Sequence, residues 1–372
     1  MGIRKLSNIG GWTSKTSYTS FLAGNAKFIP PYTGSIAVGG DSTNKISAYP
    51  WSASSGFGAK YSNPATPPTQ YVSSAAFGSS SSITPSTDIV LGSGATPFIH
   101  AYPWSLASGF GTKYTDPATL PVAGSTGVAF HPAGNAIVYA TYTTSNSQVA
   151  YPFSSGTGFG TKYADPSPDP GVGNFTQKSR WNPAGTDIVI ATYESNLIAT
   201  YTWSSGWGSK YAQPATAPPG SAGGSNFNKA GTVVAVTCNA APWVAAYPFT
   251  SGSGYGSKYS NPATTPTGNS GDIQWAFGDT AVAISHTNSP YVTAYTWSAG
   301  FGTKYADPAT LPTVDGSSVN FTPDGLNIGV ANGGTPFIFT YPWTSAGGFG
   351  TKYADPATLP TGYGYTSTFQ VT

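Results

Sequence analysis

Charged residues and cysteine are scarce in this sequence. The chain of 372 residues has one cysteine, Cys238, and one glutamate, Glu194, and only 8% of its residues are charged. A single cysteine excludes an intramolecular disulfide and a cysteine metal cluster. The three histidines, His100, His131 and His286, lack the spacing of a metal-binding pair. We therefore predict no metal site.

Other functional signals are also missing. No run of lysine or arginine occurs, and the net charge is only +2, so we predict no nucleic-acid partner. No segment approaches the roughly 18 apolar residues of a membrane helix, and no apolar stretch follows the basic N-terminus, so we predict no membrane insertion and no signal peptide. The sequence has no nucleophile elbow and no P-loop. A pair of opposed carboxylates such as Glu194 and Asp272 has nothing to support it. We predict a protein that is not an enzyme, with no catalytic residues and no cofactor.

The sequence is instead rich in turn-forming and aromatic residues, and these recur in a repeated segment. It contains 47 Gly, 32 Pro, 24 Tyr, 19 Phe and 10 Trp. The period of the repeat runs from 46 to 53 residues, which is typical of propeller arrays. Its anchor tyrosines are Tyr49, Tyr102, Tyr151, Tyr201, Tyr247, Tyr295 and Tyr341.

One repeat divides into four predicted strands. In residues 317–361 a short strand ends at a Pro-Asp-Gly turn, a small apolar strand follows, an aromatic strand comes third, and Phe349 to Tyr353 form the fourth. Seven such repeats predict an all-β fold, a seven-bladed β-propeller with four antiparallel strands per blade. The predicted blades span about 25–71, 72–123, 124–171, 172–220, 221–267, 268–314 and 315–361.

Ring closure leaves two alternatives open. Either a C-terminal strand within 366–372 completes blade 1, or a strand around Phe28 does so and the tail is an extra contact. Residues 1–24 lie outside the repeats. We predict that they form either a solvated tail or an arm for subunit assembly. The candidate arm residues are Arg4, Lys5, Trp12, Lys15 and Tyr18.

Each repeat also carries a lysine before its last tyrosine, as at Lys352. We interpret it as a charge that blocks pairing at the outer edge of a blade, with a ring of charge for an anionic surface as the alternative. Binding residues are expected in the variable loops between second and third strands, where aromatic rings and amides suit carbohydrate. These candidates are Tyr142, Asn146, Tyr193, Glu194, Asn239, Trp243, His286, Asn288 and Tyr291.

Two resemblances bear on function. The pattern Val-x-Phe-x-Pro-x-Gly at 128–134 and 319–325 resembles the opening of WD40-type blades, although the Trp-Asp and Gly-His pairs of that family are absent. The tandem Tyr-Pro-Trp, Gly-Phe-Gly-x-Lys-Tyr and Pro-Ala-Thr units resemble uncharacterised propeller proteins of tailed bacteriophages. The second resemblance implies a non-enzymatic virion structural protein, either a capsid decoration or a tail component, assembled in the host cytoplasm. Its partners would be other virion subunits and, through a binding face, a host surface glycan.

Two alternatives to the virion interpretation remain open. One is a bacterial lectin-like propeller that binds carbohydrate at the cell surface. The other is a scaffold for protein interactions.

Overall fold

The repeated segment forms the blades of a ring. The computed structural model describes residues 33–41, 45–78, 86–143, 145–170, 176–193 and 198–370. In chain order, the strands are β1 Thr33–Gly39, β2 Ile46–Ser52, β3 Gly56–Phe57, β4 Val72–Gly78, β5 Asp88–Ser93, β6 Ile99–Ser105, β7 Gly109–Phe110, β8 Ser125–Phe130, β9 Ala136–Thr141, β10 Gln148–Ser154, β11 Gly158–Phe159, β12 Thr176–Trp181, β13 Asp187–Thr192, β14 Ile198–Trp203, β15 Trp207–Lys210, β16 Ala222–Phe227, β17 Val233–Cys238, β18 Val244–Thr250, β19 Gly254–Tyr255, β20 Ser270–Trp275, β21 Ala281–His286, β22 Val292–Trp297, β23 Phe301–Lys304, β24 Gly316–Phe321, β25 Asn327–Asn332, β26 Ile338–Thr344, β27 Gly348–Phe349 and β28 Thr366–Phe369.

These strands form seven sheets of four antiparallel strands, which confirms the predicted seven-bladed propeller. Blades 2 to 7 take their strands in sequence order, from β4 to β7 through to β24 to β27. The first strands of all blades, β28, β4, β8, β12, β16, β20 and β24, contact one another in a closed cycle, so they surround the centre of the ring. In the described ranges the one helical segment is the 3-10 turn Phe277–Asp279, and no helix there is long and apolar enough to cross a membrane.

Blade 1 is built from both ends of the described chain. Its sheet order is β28, β1, β2, β3. Strand β28 pairs with β1 from Ile36 opposite Phe369 to Gly39 opposite Thr366. The first strand of this blade therefore comes from the C-terminal segment, and the ring closes through backbone hydrogen bonds.

The core lies between blades. Each of the seven buried clusters combines side chains of two neighbouring blades. Aromatic rings meet edge to face across these interfaces, as Trp51 of blade 1 does with Tyr353 of blade 7 at 4.9 Å between centroids. Within blade 7, Trp343 contacts Phe321 and Phe349 in the same way. Such pairs contribute about 0.5 to 1.5 kcal/mol each beyond their burial. The repeated aromatics therefore hold neighbouring blades together, as their alternation along the strands predicts.

The fourth strands are shorter than predicted. In blade 7 pairing covers only Gly348–Phe349, although the sequence suggested a strand through Tyr353. The carbonyl of Pro342 accepts a hydrogen bond from the N–H of Gly350 in the outer segment. Proline has no backbone N–H, so this position cannot donate a second hydrogen bond to the same segment. Four-residue outer strands occur in blades 4 and 6, where Thr202 and Thr296 replace this proline. Proline therefore shortens the outer ladder.

Candidate functional site

One position near the end of each first strand differs from blade to blade. It immediately precedes the Phe or Trp that packs into the core between blades. This set, which we call the rim layer, consists of Thr368, Ala76, Ala129, Arg180, Asn226, Gln274 and Asn320. The polar members occupy five neighbouring blades, and the two alanines occupy blades 2 and 3. One side of the ring centre is therefore polar.

Rim-layer side chains point toward the following blade. The amide of Asn226 donates to Gln274 Oε1 at 2.8 Å. Asn320 likewise donates from its side-chain amide to the carbonyl of Ser367 in the next first strand. Because the first strands surround the centre of the ring, these contacts form a hydrogen-bonded arc around it.

Two residues earlier on these strands lies a charged cluster, which we call the inner layer: Lys178, Asp272 and Ser318. Lys178 Nζ lies 2.7 Å from Asp272 Oδ2 and donates to the carbonyl of Ser317 at 3.3 Å. Ser318 Oγ donates to the same carboxylate oxygen at 3.2 Å, and Arg180 Nη2 of the rim layer lies 3.8 Å from it. The lysine of blade 4 thus reaches across the ring centre to blades 6 and 7.

Glycines make room for this crossing. On the first strands of blades 3 and 5, which flank that of blade 4, the residues equivalent to Lys178 are Gly127 and Gly224. A Cβ on Gly127 would lie 2.8 Å from the Cα of Lys178, and one on Gly224 would lie 2.9 Å from the carbonyl oxygen of Gly271. Both distances are too short for a side chain. First strands therefore approach more closely here than any larger residue would allow.

The cluster is an unusual concentration of charge in a chain with few charged residues. The side chain of Asp272 is 1% exposed. Burial lowers the pKa of the Lys178 ammonium, while the adjacent Asp272 carboxylate opposes that change. With Arg180 included, two cationic groups face one carboxylate. Anions and developing negative charge would therefore be stabilised at the ring centre.

A pocket of about 610 Å³ opens on the face that carries the turns between first and second strands. Gln274 and Asn320 of the rim layer line it together with Phe277, Asp279 and Lys229, whereas Lys178, Arg180 and Asp272 are not among its lining residues. Asp272 lies two residues deeper than Gln274 on the same strand. The described residues contain no group of three or more His, Cys, Asp or Glu side chains that could hold a metal ion.

The predicted binding residues that are described and exposed lie on the opposite face. Tyr142 is 60% exposed and Tyr193 is 39% exposed, each just after a second strand. The N–H of Tyr142 bonds to the carbonyl of Gly124, which places its loop beside the connection between blades. Asn239 and Asn288 are also exposed on such loops. The predicted set is spread over four consecutive blades.

Three of these candidates owe their position to backbone geometry. Trp243 and Tyr291 follow cis prolines with φ near +69°, as do Phe98 and Phe337 in two other blades. In all four turns the aromatic N–H donates to the carbonyl three residues earlier. A turn that looked variable in sequence is therefore shared by four blades. Asn146 also has a left-handed φ of 50°, which asparagine tolerates better than most residues.

His286 is not a surface residue. It is fully buried at the end of β21, with Nε2 2.9 Å from Thr293 Oγ1 and Nδ1 3.5 Å from Thr267 Oγ1. Burial lowers its pKa to about 4. Its ring therefore lies inside blade 6, neutral at ordinary pH, and does not form part of an exposed binding face.

Several predictions lie outside the described residues: Glu194 and the arm residues Arg4, Lys5, Trp12, Lys15 and Tyr18. The repeat lysines are described, and Lys352 contacts Asp355 three residues later, as Lys113 does with Asp116. These local pairs offset the charge that an anion-binding ring would need.

Sequence reasoning missed the rim and inner layers. It treated Asp272 only as an unsupported partner for Glu194 and did not single out Lys178 or Arg180. A signal was present, because the residue before the repeated Phe or Trp of each first strand is polar in five neighbouring blades. Aligning the seven repeats on that aromatic would have shown Arg, Asn, Gln and Asn on consecutive blades.

Comparison with known proteins shows the fold. The sequence matches no family model and no curated protein. A Bacteroides fragilis structure, provisionally described as a 6-phosphogluconolactonase, is 14% identical with a TM-score of 0.71, over 91% of this chain and 98% of that one. A periplasmic gluconolactonase from Pseudomonas aeruginosa is 13% identical with a TM-score of 0.69, over 91% and 99%. A Lactobacillus plantarum protein is 13% identical with a TM-score of 0.70, again over 91% and 99%.

These comparisons contradict two predictions. The virion structural role is wrong, because the similar structures named above are bacterial propellers and none of these three is described as a phage protein. The prediction that the chain is not an enzyme is contradicted as well, since two of the three are described as lactonases. Repeat units resembling those of phage propellers were misleading because they build the frame between blades. At this level of identity the chain is shown to share the seven-bladed propeller fold of these proteins.

Proposed function

We propose that this protein is a hydrolase of sugar-derived lactones, with its reaction centre at the middle of the ring. The observation that carries the proposal is the buried cluster of Lys178, Asp272 and Arg180 in an otherwise sparsely charged chain, two residues along the first strand from the pocket-lining Gln274 in the case of Asp272. Perturbed, buried charges next to a pocket are typical of active sites. Lactonase descriptions among proteins of the same fold support the reaction class by analogy.

The cluster supplies the groups that lactone hydrolysis needs. Asp272 takes a proton from a water molecule, and the water oxygen bonds to the lactone carbonyl carbon. The carbonyl oxygen becomes an oxyanion, which Lys178 and Arg180 stabilise. When the intermediate collapses, the bond from this carbon to the ring oxygen breaks. The proton on Asp272 passes to that oxygen, which leaves a hydroxy acid and the original carboxylate.

Substrate would enter from the pocket. Its amides, Gln274 and Asn320, can donate to and accept from sugar hydroxyls. The Arg180 side chain is more exposed than that of Lys178, so it would meet the substrate first. Lys178 orients the Asp272 carboxylate by holding one of its oxygens, Oδ2, at 2.7 Å.

The test is lactone hydrolysis by the purified protein above the spontaneous rate, on glucono-δ-lactone and its 6-phosphate. Asp272→Asn should lower kcat by about a hundredfold or more, because it removes the proton acceptor. Arg180→Met should lower kcat/KM by a similar factor through loss of oxyanion stabilisation. Asp307→Asn is the matched control, since Asp307 pairs with Lys304 at the surface.

Circular dichroism and thermal melting would check that each variant is folded. Arg180→Met keeps the proposal testable if Asp272→Asn fails to fold, because Arg180 makes fewer buried contacts. Absence of catalysed hydrolysis, or catalysis that survives both substitutions, would show the proposal to be wrong.

A further inference from the structure

The first turn of blade 6 departs from the repeat. Blades 3, 4, 5 and 7 turn on a glycine with φ between 70° and 73°, such as Gly231 or Gly325. In blade 6 the residue at that position is Asp279, with φ 56°, and it follows Phe277 and Gly278. Equivalent hydrogen bonds establish this alignment. The N–H of Ala276 in blade 6 donates to the carbonyl of Ala281, and the N–H of Thr322 in blade 7 donates to the carbonyl of Asn327. Phe277 therefore replaces the proline or lysine of the other turns.

Blade 5 holds this unusual turn in place. The Asp279 carboxylate accepts hydrogen bonds from the N–H groups of Lys229 at 2.7 Å and Ala230 at 2.9 Å. It also accepts one from the side-chain amide of Asn228 at 3.0 Å. Three hydrogen bonds to one carboxylate compensate for a backbone conformation that aspartate adopts less readily than glycine. The turn is thus fixed from one side.

Blade 7 accommodates it on the other side. A Cβ on Gly325 would lie 2.4 Å from the Cβ of Phe277, so a larger residue there would displace the phenylalanine. Phe277 is therefore held between the turns of blades 5 and 7. Its side chain is nevertheless 47% exposed, which is unusual for a large aromatic residue in a fixed position.

This exposed ring lines the same pocket as Gln274 and Asn320. An aromatic face offers contact to the C–H groups on one side of a sugar ring, while amides bind its hydroxyls. Leu326, another exposed apolar residue on the same face, does not line this pocket. The ring and the amides thus line one pocket, and Gln274 lies on the same strand as Asp272 of the charged cluster.

We infer that Phe277 determines specificity by stacking on the ring of a cyclic, polyhydroxylated substrate while Gln274 and Asn320 bind its hydroxyls. The reaction that follows rests on the proposed function, but the binding step does not require hydrolysis. Cyclic sugars and sugar lactones are thereby selected over unsubstituted aliphatic lactones, which present no hydroxyls to the amides.

Binding and catalysis can be measured separately. The probe for binding is 1,5-anhydroglucitol, a cyclic polyol with no bond for the enzyme to hydrolyse, titrated by calorimetry and by saturation-transfer NMR. Phe277→Ala should weaken its binding about tenfold and raise KM for glucono-δ-lactone by about the same factor, with kcat within twofold. Phe277→Trp should retain binding, because it restores an aromatic face.

Leu326→Ala is the matched control and should change neither quantity. A melting curve for Phe277→Ala separates loss of stacking from loss of folding. Unchanged affinity and KM in Phe277→Ala would overturn the inference, as would failure of the wild-type protein to bind 1,5-anhydroglucitol. If the polyol binds through Phe277 but Asp272→Asn leaves hydrolysis intact or no hydrolysis occurs, the proposed reaction fails and this inference stands.

Discussion

The hydroxyl of Tyr49 donates a hydrogen bond to the backbone carbonyl of Thr358 at 2.8 Å, although 309 residues separate them. Blade 1 is thereby joined to blade 7. Five other anchor tyrosines make the same kind of bond to the preceding blade, to the carbonyls of Thr66, Thr119, Pro168, Thr264 and Thr310. The anchor tyrosine and the Pro-Ala-Thr end of the repeat are therefore mostly two halves of one contact between blades.

Tyr49→Phe should lower the free energy of unfolding by about 1 kcal/mol, because the Thr358 carbonyl loses its donor. Tyr247→Phe is the control, since its buried hydroxyl has no hydrogen-bond partner within the described ranges, and it should be neutral or slightly stabilising. Urea unfolding followed by tryptophan fluorescence measures both. Equal losses in the two variants would rule out this hydrogen bond as the cause.

Removal of residues 366–372 should sharply lower the melting temperature. The truncation takes away β28, so β1 loses its partner from Ile36 to Gly39 and Trp51 loses its contact with Phe369 at 5.7 Å. A chain that lacks only the last two residues keeps β28 and serves as the control. A melting temperature unchanged by the longer truncation would contradict closure through this strand.

The buried ion pair should show strong coupling between its partners. Lys178→Met leaves Asp272 without its nearest cation and should cost about 3 to 5 kcal/mol, whereas the double variant with Asp272→Asn should cost less than the sum of the single changes. Lys352→Met with Asp355→Asn is the surface control, for which coupling of at most about 1 kcal/mol is expected. Additive losses at the inner layer would show that the two charges do not interact.

Stability should fall between pH 6.5 and 4. Burial lowers the pKa of His286 and of His100 from 6.5 to about 4. In this window the unfolded chain binds more protons than the folded chain, so the free energy of unfolding decreases as pH falls, by up to about 1.4 kcal/mol per pH unit for each histidine. These two groups contribute no further loss below about pH 4.

Replacing both histidines by glutamine should flatten that dependence, as measured by urea midpoints at four pH values from 4 to 7.5. Each single variant should remove about half of the slope that the pair contributes. A slope unchanged in the double variant would assign the acid sensitivity to other groups.

The frame was predictable because it repeats. Seven copies of the same aromatic, glycine and proline spacing specify seven equivalent units, so blade number and strand count followed from the pattern. The length of the outer strands did not follow from the pattern. It depends on one residue of the third strand, because Thr296 offers a backbone N–H to the fourth strand and Pro342 does not. The sequence left two candidates for the first strand of blade 1, and the structure uses Thr366–Phe369.

The site was harder to predict because its members are far apart in sequence. Lys178 and Asp272 meet only because blades 4 and 6 face the same centre, and Gly224 on the blade between them leaves room for the long lysine side chain. Prominent loop residues such as Trp243 drew attention instead, although a shared turn explains them. Repetition obscured the site, since the candidate residues lie in the first strands, which share little from blade to blade beyond their Phe or Trp.

The rim layer contributes one side chain from each blade to the ring centre. Each of its seven positions lies on its own blade, immediately before the Phe or Trp of the first strand, and Ala76 and Ala129 are the two that carry no polar group. Both alanines pack against the core between blades, Ala129 in the cluster that contains Trp181 and Ala76 against the cluster that contains Phe153, so larger side chains there would disturb contacts that hold the blades. The Phe or Trp that joins the blades is therefore common to all seven first strands, whereas the side chain before it differs from blade to blade, so substitutions at the polar rim-layer positions would change the polarity of the ring centre one blade at a time.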